Sequence, residues 1–161
     1  MVRRIGSIAS VVPADSDQVW KDVIIDHNQF PRRHGRLDSF SHEGHGENPF
    51  CGDRVSLQIQ IDSNGVIADI GFEATGCAIS LSSASLLSEN LAGKHVDEAM
   101  RLFSVVHELL TRENTGDQTD LGELRALALV RRYPARVKCA TLVWHVLKNA
   151  LKGEKATAST E

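Results

Sequence analysis

The sequence predicts an α+β domain in which a small antiparallel three-stranded sheet packs against several helices. Three observations carry that expectation. Val55, Leu57, Ile59 and Ile61 alternate with polar residues, and Val66, Ala68, Ile70 and Phe72 alternate again after a turn, so two half-buried strands pair as a hairpin. Beyond Gly76 the apolar spacing becomes helical and stays so almost to the end of the chain. The 161 residues, 42% apolar and 24% charged, suit one soluble domain, so strands and helices must share a single core.

The domain is expected to span residues 1–161, with a flexible N-terminal extension over about 1–15 and a flexible polar tail over about 153–161. Met1-Val2-Arg3-Arg4 is basic, but Gly6, Ser7 and Ser10 interrupt the stretch up to Pro13, so no signal peptide is expected. No stretch approaches the roughly 18 apolar residues of a membrane span, which points to a protein of the reducing cytoplasm, away from membranes. A net charge of −3 offers no basic footprint for nucleic acid.

In order along the chain, Ser16-Asp17-Gln18 opens a helix from about Asp17 to about His27, with Val19, Trp20, Val23 and Ile24 at helical spacing and Pro31 closing it. From Arg32 to Pro49 the chain is rich in histidine, glycine and charge. Leu37 and Phe40 there start a short edge strand, and His34, His42 and His45 read as exposed loop histidines rather than a second metal site. The hairpin reverses at Asp62-Ser63-Asn64-Gly65, where the Asn-Gly pair supplies the positive φ angles of a tight turn. A helix begins at or beside Cys77 and stops at Gly93, its small residues Ser80-Leu81-Ser82-Ser83-Ala84-Ser85 allowing close packing. His95-Val96-Asp97 to Leu110 forms another, Thr111 to Asp120 a polar loop, and Leu121, Leu124, Leu127, Ala128 and Val130 a short helix. Pro134 sits in the first turn of a last helix through about Lys152, with Trp144 in the core.

Cys51, Cys77 and Cys139 are the only cysteines, and an odd count cannot close into intramolecular disulfides. Cys51 and Asp53 precede the first hairpin strand and Cys77 follows the second, so antiparallel pairing brings them together; Cys139 arrives by packing of the last helix. Cys77 at a helix N-terminus and, less strongly, Cys139 in the first turns of the last helix are expected to lean toward thiolate. Three thiolates and the Asp53 carboxylate satisfy four-coordinate Zn²⁺. Arg136, one turn before Cys139, answers the charge of such a site. Each residue has a plainer reading: a small buried hydrophobe for one cysteine, a turn cap for Asp53, a solvated charge for Arg136. The constellation outweighs them.

Asn48-Pro49-Phe50-Cys51-Gly52-Asp53, Ala74-Thr75-Gly76-Cys77-Ala78-Ile79-Ser80 and Arg136-Val137-Lys138-Cys139-Ala140-Thr141-Leu142, together with Val23-Ile24-Ile25-Asp26-His27 and Pro31-Arg32-Arg33-His34-Gly35, resemble the motifs of IscU/NifU-type iron–sulfur scaffold proteins across roughly residues 17–150. Lys138, where scaffolds usually carry histidine, and the extended segment Asp117 to Tyr133 are similar to the SufU-type branch. Ser88 and Leu86-Leu87 stand where methionines are common, and Phe30-Pro31 replaces a more usual Asn-Pro; all lie off the ligand set.

The resemblance implies an IscU/SufE-like fold and a zinc-dependent sulfurtransferase working with a pyridoxal-phosphate cysteine desulfurase and with downstream iron–sulfur scaffold proteins. It implies that Cys51 accepts persulfide sulfur on release from zinc, that Cys51, Asp53, Cys77 and Cys139 hold the metal, and that Arg136 is the site arginine. The same ligands would suit a labile iron–sulfur cluster, which leaves a scaffold as the alternative.

Overall fold

The computed structural model describes residues 17–112, 119–153 and 157–159; the expected N-terminal extension and most of the expected polar loop lie outside them. The described elements run α1 (Asp17–Gln29), β1 (His42–Asn48), β2 (Asp53–Ile61), β3 (Ile67–Thr75), α2 (Ala78–Leu91), α3 (Val96–Thr111), a 3₁₀ segment (Thr119–Arg132), α4 (Pro134–Leu151) and β4 (Ala158–Ser159).

The sheet is larger and more mixed than expected. Four strands lie in the order β3-β2-β1-β4, with β1–β2 and β2–β3 antiparallel and β1–β4 parallel. The edge strand expected near Leu37 and Phe40 is irregular chain; ahead of it His34 makes an isolated bridge to Phe72, and the strand proper starts at His42. Hydropathy could not reveal β1, because its buried positions are Gly44, Gly46 and Asn48. A methyl on Gly46 would stand 2.4 Å from Val146 Cγ2 and 2.9 Å from Leu142 Cδ1, and one on Gly44 would stand 2.9 Å from the Val146 carbonyl oxygen. Bare backbone therefore lets α4 lie directly on β1.

The β2–β3 hairpin forms as expected, with one difference at the turn. Only Gly65 has positive φ; the reversal is instead held by Asp62, whose Oδ1 accepts the amides of Asn64 (2.8 Å) and Val66 (3.0 Å). A register shift beside Ile61 leaves Ala68 unpaired and turns Ile67 into the core.

Helices α2 and α4 cover one face of the sheet. Leu142, Val143, Trp144, Val146 and Leu147 of α4 are all buried, which makes it the central helix. The serines of α2 allow close packing and also bond across the interfaces. Ser83 Oγ donates to the Ala140 carbonyl (2.7 Å) and accepts from Trp144 Nε1 (3.2 Å), and Ser82 Oγ donates to the Ile24 carbonyl (2.9 Å).

Two expectations need correction in the C-terminal half. The short helix over Leu121–Val130 is a longer 3₁₀ segment interrupted at Gly122 (φ 57°, ψ −131°), and its Leu121, Leu124, Leu127 and Val130 are all buried. A repeat of three matches the 3₁₀ turn. The tail is not free throughout: Ala158 is buried and pairs with Gly46, and Ser159 pairs with Glu47.

Candidate metal centre

The loop from β1 to β2 is shaped by Asn48. Its backbone oxygen accepts the amides of Cys51 (3.2 Å) and Gly52 (2.9 Å), and its side-chain Oδ1 accepts the Phe50 amide (3.2 Å). This folds Pro49-Phe50-Cys51 into a tight turn that leaves Phe50 78% exposed and Cys51 half-buried at the rim.

Asp53 opens β2, opposite Asn48 in the antiparallel register, and is fully buried. A buried carboxylate needs donors. Its Oδ1 accepts the Cys77 amide at 2.8 Å, and its Oδ2 lies 3.9 Å from Cys77 Sγ. Gly76 makes this approach possible: its φ is +123°, and a Cβ there would stand 2.1 Å from Asp53 Oδ1. Cys77 is the N-cap residue of α2, in extended conformation, and its side chain makes no capping hydrogen bond.

Cys139, in the second turn of α4, is fully buried. Its sulfur lies 3.3 Å from Cys51 Sγ and accepts a hydrogen bond from Asn48 Nδ2 at 3.6 Å. Contrary to the expected lean toward thiolate, burial, then hydrogen bonding with Asp53, Cys51 and Cys77, pushes the Cys139 thiol far above the ordinary thiol range. Arg136 is exposed and donates from Nη1 to Cys51 Sγ at 3.7 Å. The sulfurs of Cys139, Cys77 and Cys51 hold its guanidinium above its ordinary value. Lys138 stacks over the Phe50 ring, 5.3 Å from its centroid.

The ligand atoms of Cys51, Asp53 and Cys139 all lie within 4.8 Å of one another, and Cys77 adjoins this group through Asp53. The donor set fits a divalent metal. Tetrahedral zinc with thiolate bonds of ~2.3 Å sets its ligand sulfurs roughly 3.7 Å apart, a small adjustment from the 3.3 Å seen between Cys51 and Cys139. A cation would also reverse the preference of buried Cys139 for its neutral form.

A second cluster was not expected as a site, although the sequence placed His27 in the Val23-Ile24-Ile25-Asp26-His27 motif. His27, fully buried on α1, lies with Nε2 2.9 Å from Glu123 Oε1 and 3.6 Å from Glu89 Oε1, and with Nδ1 2.7 Å from Ser85 Oγ. Ser85 Oγ accepts the Arg32 amide at 2.8 Å, which directs its own hydrogen to Nδ1 and leaves the Nε2 proton for Glu123. The network is internally complete and ties α1, α2 and the 3₁₀ segment together.

With this geometry in hand, the profile of the NifU-like N terminal domain matches residues 19–140. The chain belongs to that family. A zinc-dependent sulfurtransferase SufU of Bacillus subtilis is 35% identical over 142 residues, 88% of this chain and 95% of that one. An iron–sulfur cluster assembly scaffold protein IscU of Streptococcus pyogenes is 37% identical over 136 residues, 84% of each. Among solved structures, a putative iron–sulfur cluster assembly scaffold protein for the SUF system from Fervidobacterium islandicum superposes with a TM-score of 0.75 at 32% identity, covering 84% of this chain and 98% of that one. This NifU-like chain thus has relatives in both functional classes that the sequence left open. Among the described residues, no helix is long and apolar enough to cross a membrane.

Proposed function

We propose that this NifU-like protein is a zinc-dependent sulfur acceptor that takes persulfide sulfur from a pyridoxal-phosphate cysteine desulfurase and passes it on for iron–sulfur cluster assembly. The observation that carries the reading is the asymmetry of the paired sulfurs. Cys51 sits on an accessible turn beside an exposed guanidinium, while Cys139, 3.3 Å away, is fully buried. Zinc held by Cys51, Asp53, Cys77 and Cys139 would keep the sulfurs deprotonated and, with four protein ligands, would leave no position for hydrolytic water.

The Cys51 thiolate attacks the outer sulfur of the donor's persulfide. A new S–S bond forms at Cys51, the donor's S–S bond breaks, and its cysteine leaves as thiolate with the electron pair. The proton stays on the transferred sulfur, and no net oxidation occurs. Arg136 draws negative charge toward Cys51 and orients it outward. Exposed Phe50, 78% accessible and next to Cys51 in the same turn, gives a partner apolar surface beside the reacting thiol. The SufU relative is named a zinc-dependent sulfurtransferase, which supports the sulfur-transfer part of this reading.

A scaffold holding a labile iron–sulfur cluster on the same ligands is the second reading, favoured by the oxygen donor Asp53 and the IscU relatives. Metal analysis of protein purified without chelators separates them: one zinc per chain and no colour is expected, and a brown, iron-containing preparation would establish the scaffold. Desulfurase turnover on cysteine should rise when the protein is added and should not rise with Cys51→Ala. Equal stimulation by that variant would remove Cys51 as acceptor.

A further inference from the structure

A sulfur acceptor with two thiols in contact faces an internal hazard. Once Cys51 carries a persulfide, the Cys139 sulfur lies within attack distance of the inner sulfur, since the two Sγ atoms are 3.3 Å apart. Attack there would form a Cys51–Cys139 disulfide and expel the outer sulfur as hydrosulfide. Two thiols would be oxidised and the transferred sulfur reduced, so no outside reductant is needed and the cargo is lost.

Asn48 stands at this junction. It is 1% exposed, and its amide has only one orientation that satisfies its surroundings. Oδ1 accepts the Phe50 amide at 3.2 Å; exchanging oxygen and nitrogen would set two donors against each other, so Nδ2 must face Cys139 Sγ, at 3.6 Å. The same residue's backbone oxygen holds the amides of Cys51 and Gly52. One side chain therefore fixes the acceptor turn and also occupies a lone pair of the neighbouring sulfur, making it a weaker nucleophile. Cys51 receives its contact from exposed Arg136 instead, which a docking partner can displace.

We propose that Asn48 is a positioning residue that protects the persulfide on Cys51 from attack by Cys139. The proposal rests on the sulfur-acceptor reading and adds a role that neither the metal ligands nor Arg136 supply.

Asn48→Asp keeps an oxygen for the Phe50 amide but removes the N–H donor, whereas Asn48→Ala removes both. Zinc-loaded wild type and both variants are charged with desulfurase and cysteine, freed of donor, and followed by intact mass, released hydrosulfide and peptide mapping. Wild type should hold the persulfide on Cys51. Both variants should lose it about tenfold faster, the factor that one charge-assisted hydrogen bond implies, with hydrosulfide and the Cys51–Cys139 disulfide appearing in equal amounts. Persulfide lifetimes equal to wild type in both variants, or shortened only in Asn48→Ala, would overturn the proposal, the second result assigning Asn48 to the turn alone. Wild type that never takes sulfur on Cys51 would instead sink the acceptor reading. A measurement on wild type alone covers variants that fail to fold: with ¹¹³Cd in the site, the Asn48 side-chain amide proton should couple to cadmium through the sulfur, and absence of that coupling would overturn the proposal.

Discussion

At the scale of single residues, the site depends as much on Gly76 as on its donor side chains. Asp53 is buried because Gly76 leaves space for its carboxylate and turns the Cys77 amide toward it. Asp53→Ala should loosen zinc by more than the roughly 10–100-fold that loss of an outer partner costs, read by competition with a chromogenic chelator. Gly76→Ala should lower stability by about 1–3 kcal/mol through backbone strain and should also weaken zinc binding, although it removes no ligand atom. Thermal unfolding with and without metal separates the two effects. The cysteines and Asp53 were legible because their chemistry is carried by residue type and motif. Asn48 was visible in the same motif, but nothing in its identity shows that its amide reaches a sulfur 91 positions away.

At the scale of elements, legibility followed the apolar side chains. Helices α1 to α4 and the β2–β3 hairpin announce themselves through leucines, valines and isoleucines at their proper periods. Strand β1 does not, since glycine and asparagine fill its inward positions. The 3₁₀ segment reads as an ordinary helix in the sequence, although its large buried residues Leu121, Leu124, Leu127 and Val130 recur every third position. Between α3 and α4, Phe103, His107 and His145 form a ring cluster with centroids 5.6–5.9 Å apart, and Lys148 lies over Phe103. Burial, then His107 and Lys148, lowers the His145 pKa. A histidine depressed in the folded state contributes stability that is present above its unfolded pKa of about 6.5 and lost as pH falls below it. The melting temperature should therefore drop between pH 7.5 and 5.5, and His145→Gln should flatten that drop. An unchanged slope would remove this cluster as the cause.

For the whole molecule, the site exists only because three distant stretches converge. The β1–β2 turn brings Cys51 and Asp53, the start of α2 brings Cys77, and α4 brings Cys139. Sequence reasoning could expect the first two to meet through hairpin pairing, but the arrival of α4 depends on packing that no local pattern encodes. The parallel pairing of β4 with β1 was equally hidden, since two small residues in a polar tail carry no strand signal. Ending the chain after Gly153 would bare the backbone of Gly46 and Glu47 at the sheet edge. It should lower stability by about 1–3 kcal/mol, the worth of the lost backbone bonds and buried Ala158, as measured by urea unfolding.

The two glycines of β1 have a consequence for the sulfurs. Leu142 and Val146, which rest on Gly46, lie on the same rigid helix as Cys139, one and two turns further along. The strand beneath them runs two residues on to Asn48 and so into the Cys51 turn. Strand and helix act as the jaws of a caliper, and the missing methyl groups set how far it closes. The separation of the Cys51 and Cys139 sulfurs is thereby calibrated by hydrogen atoms on two α-carbons that lie outside the donor set.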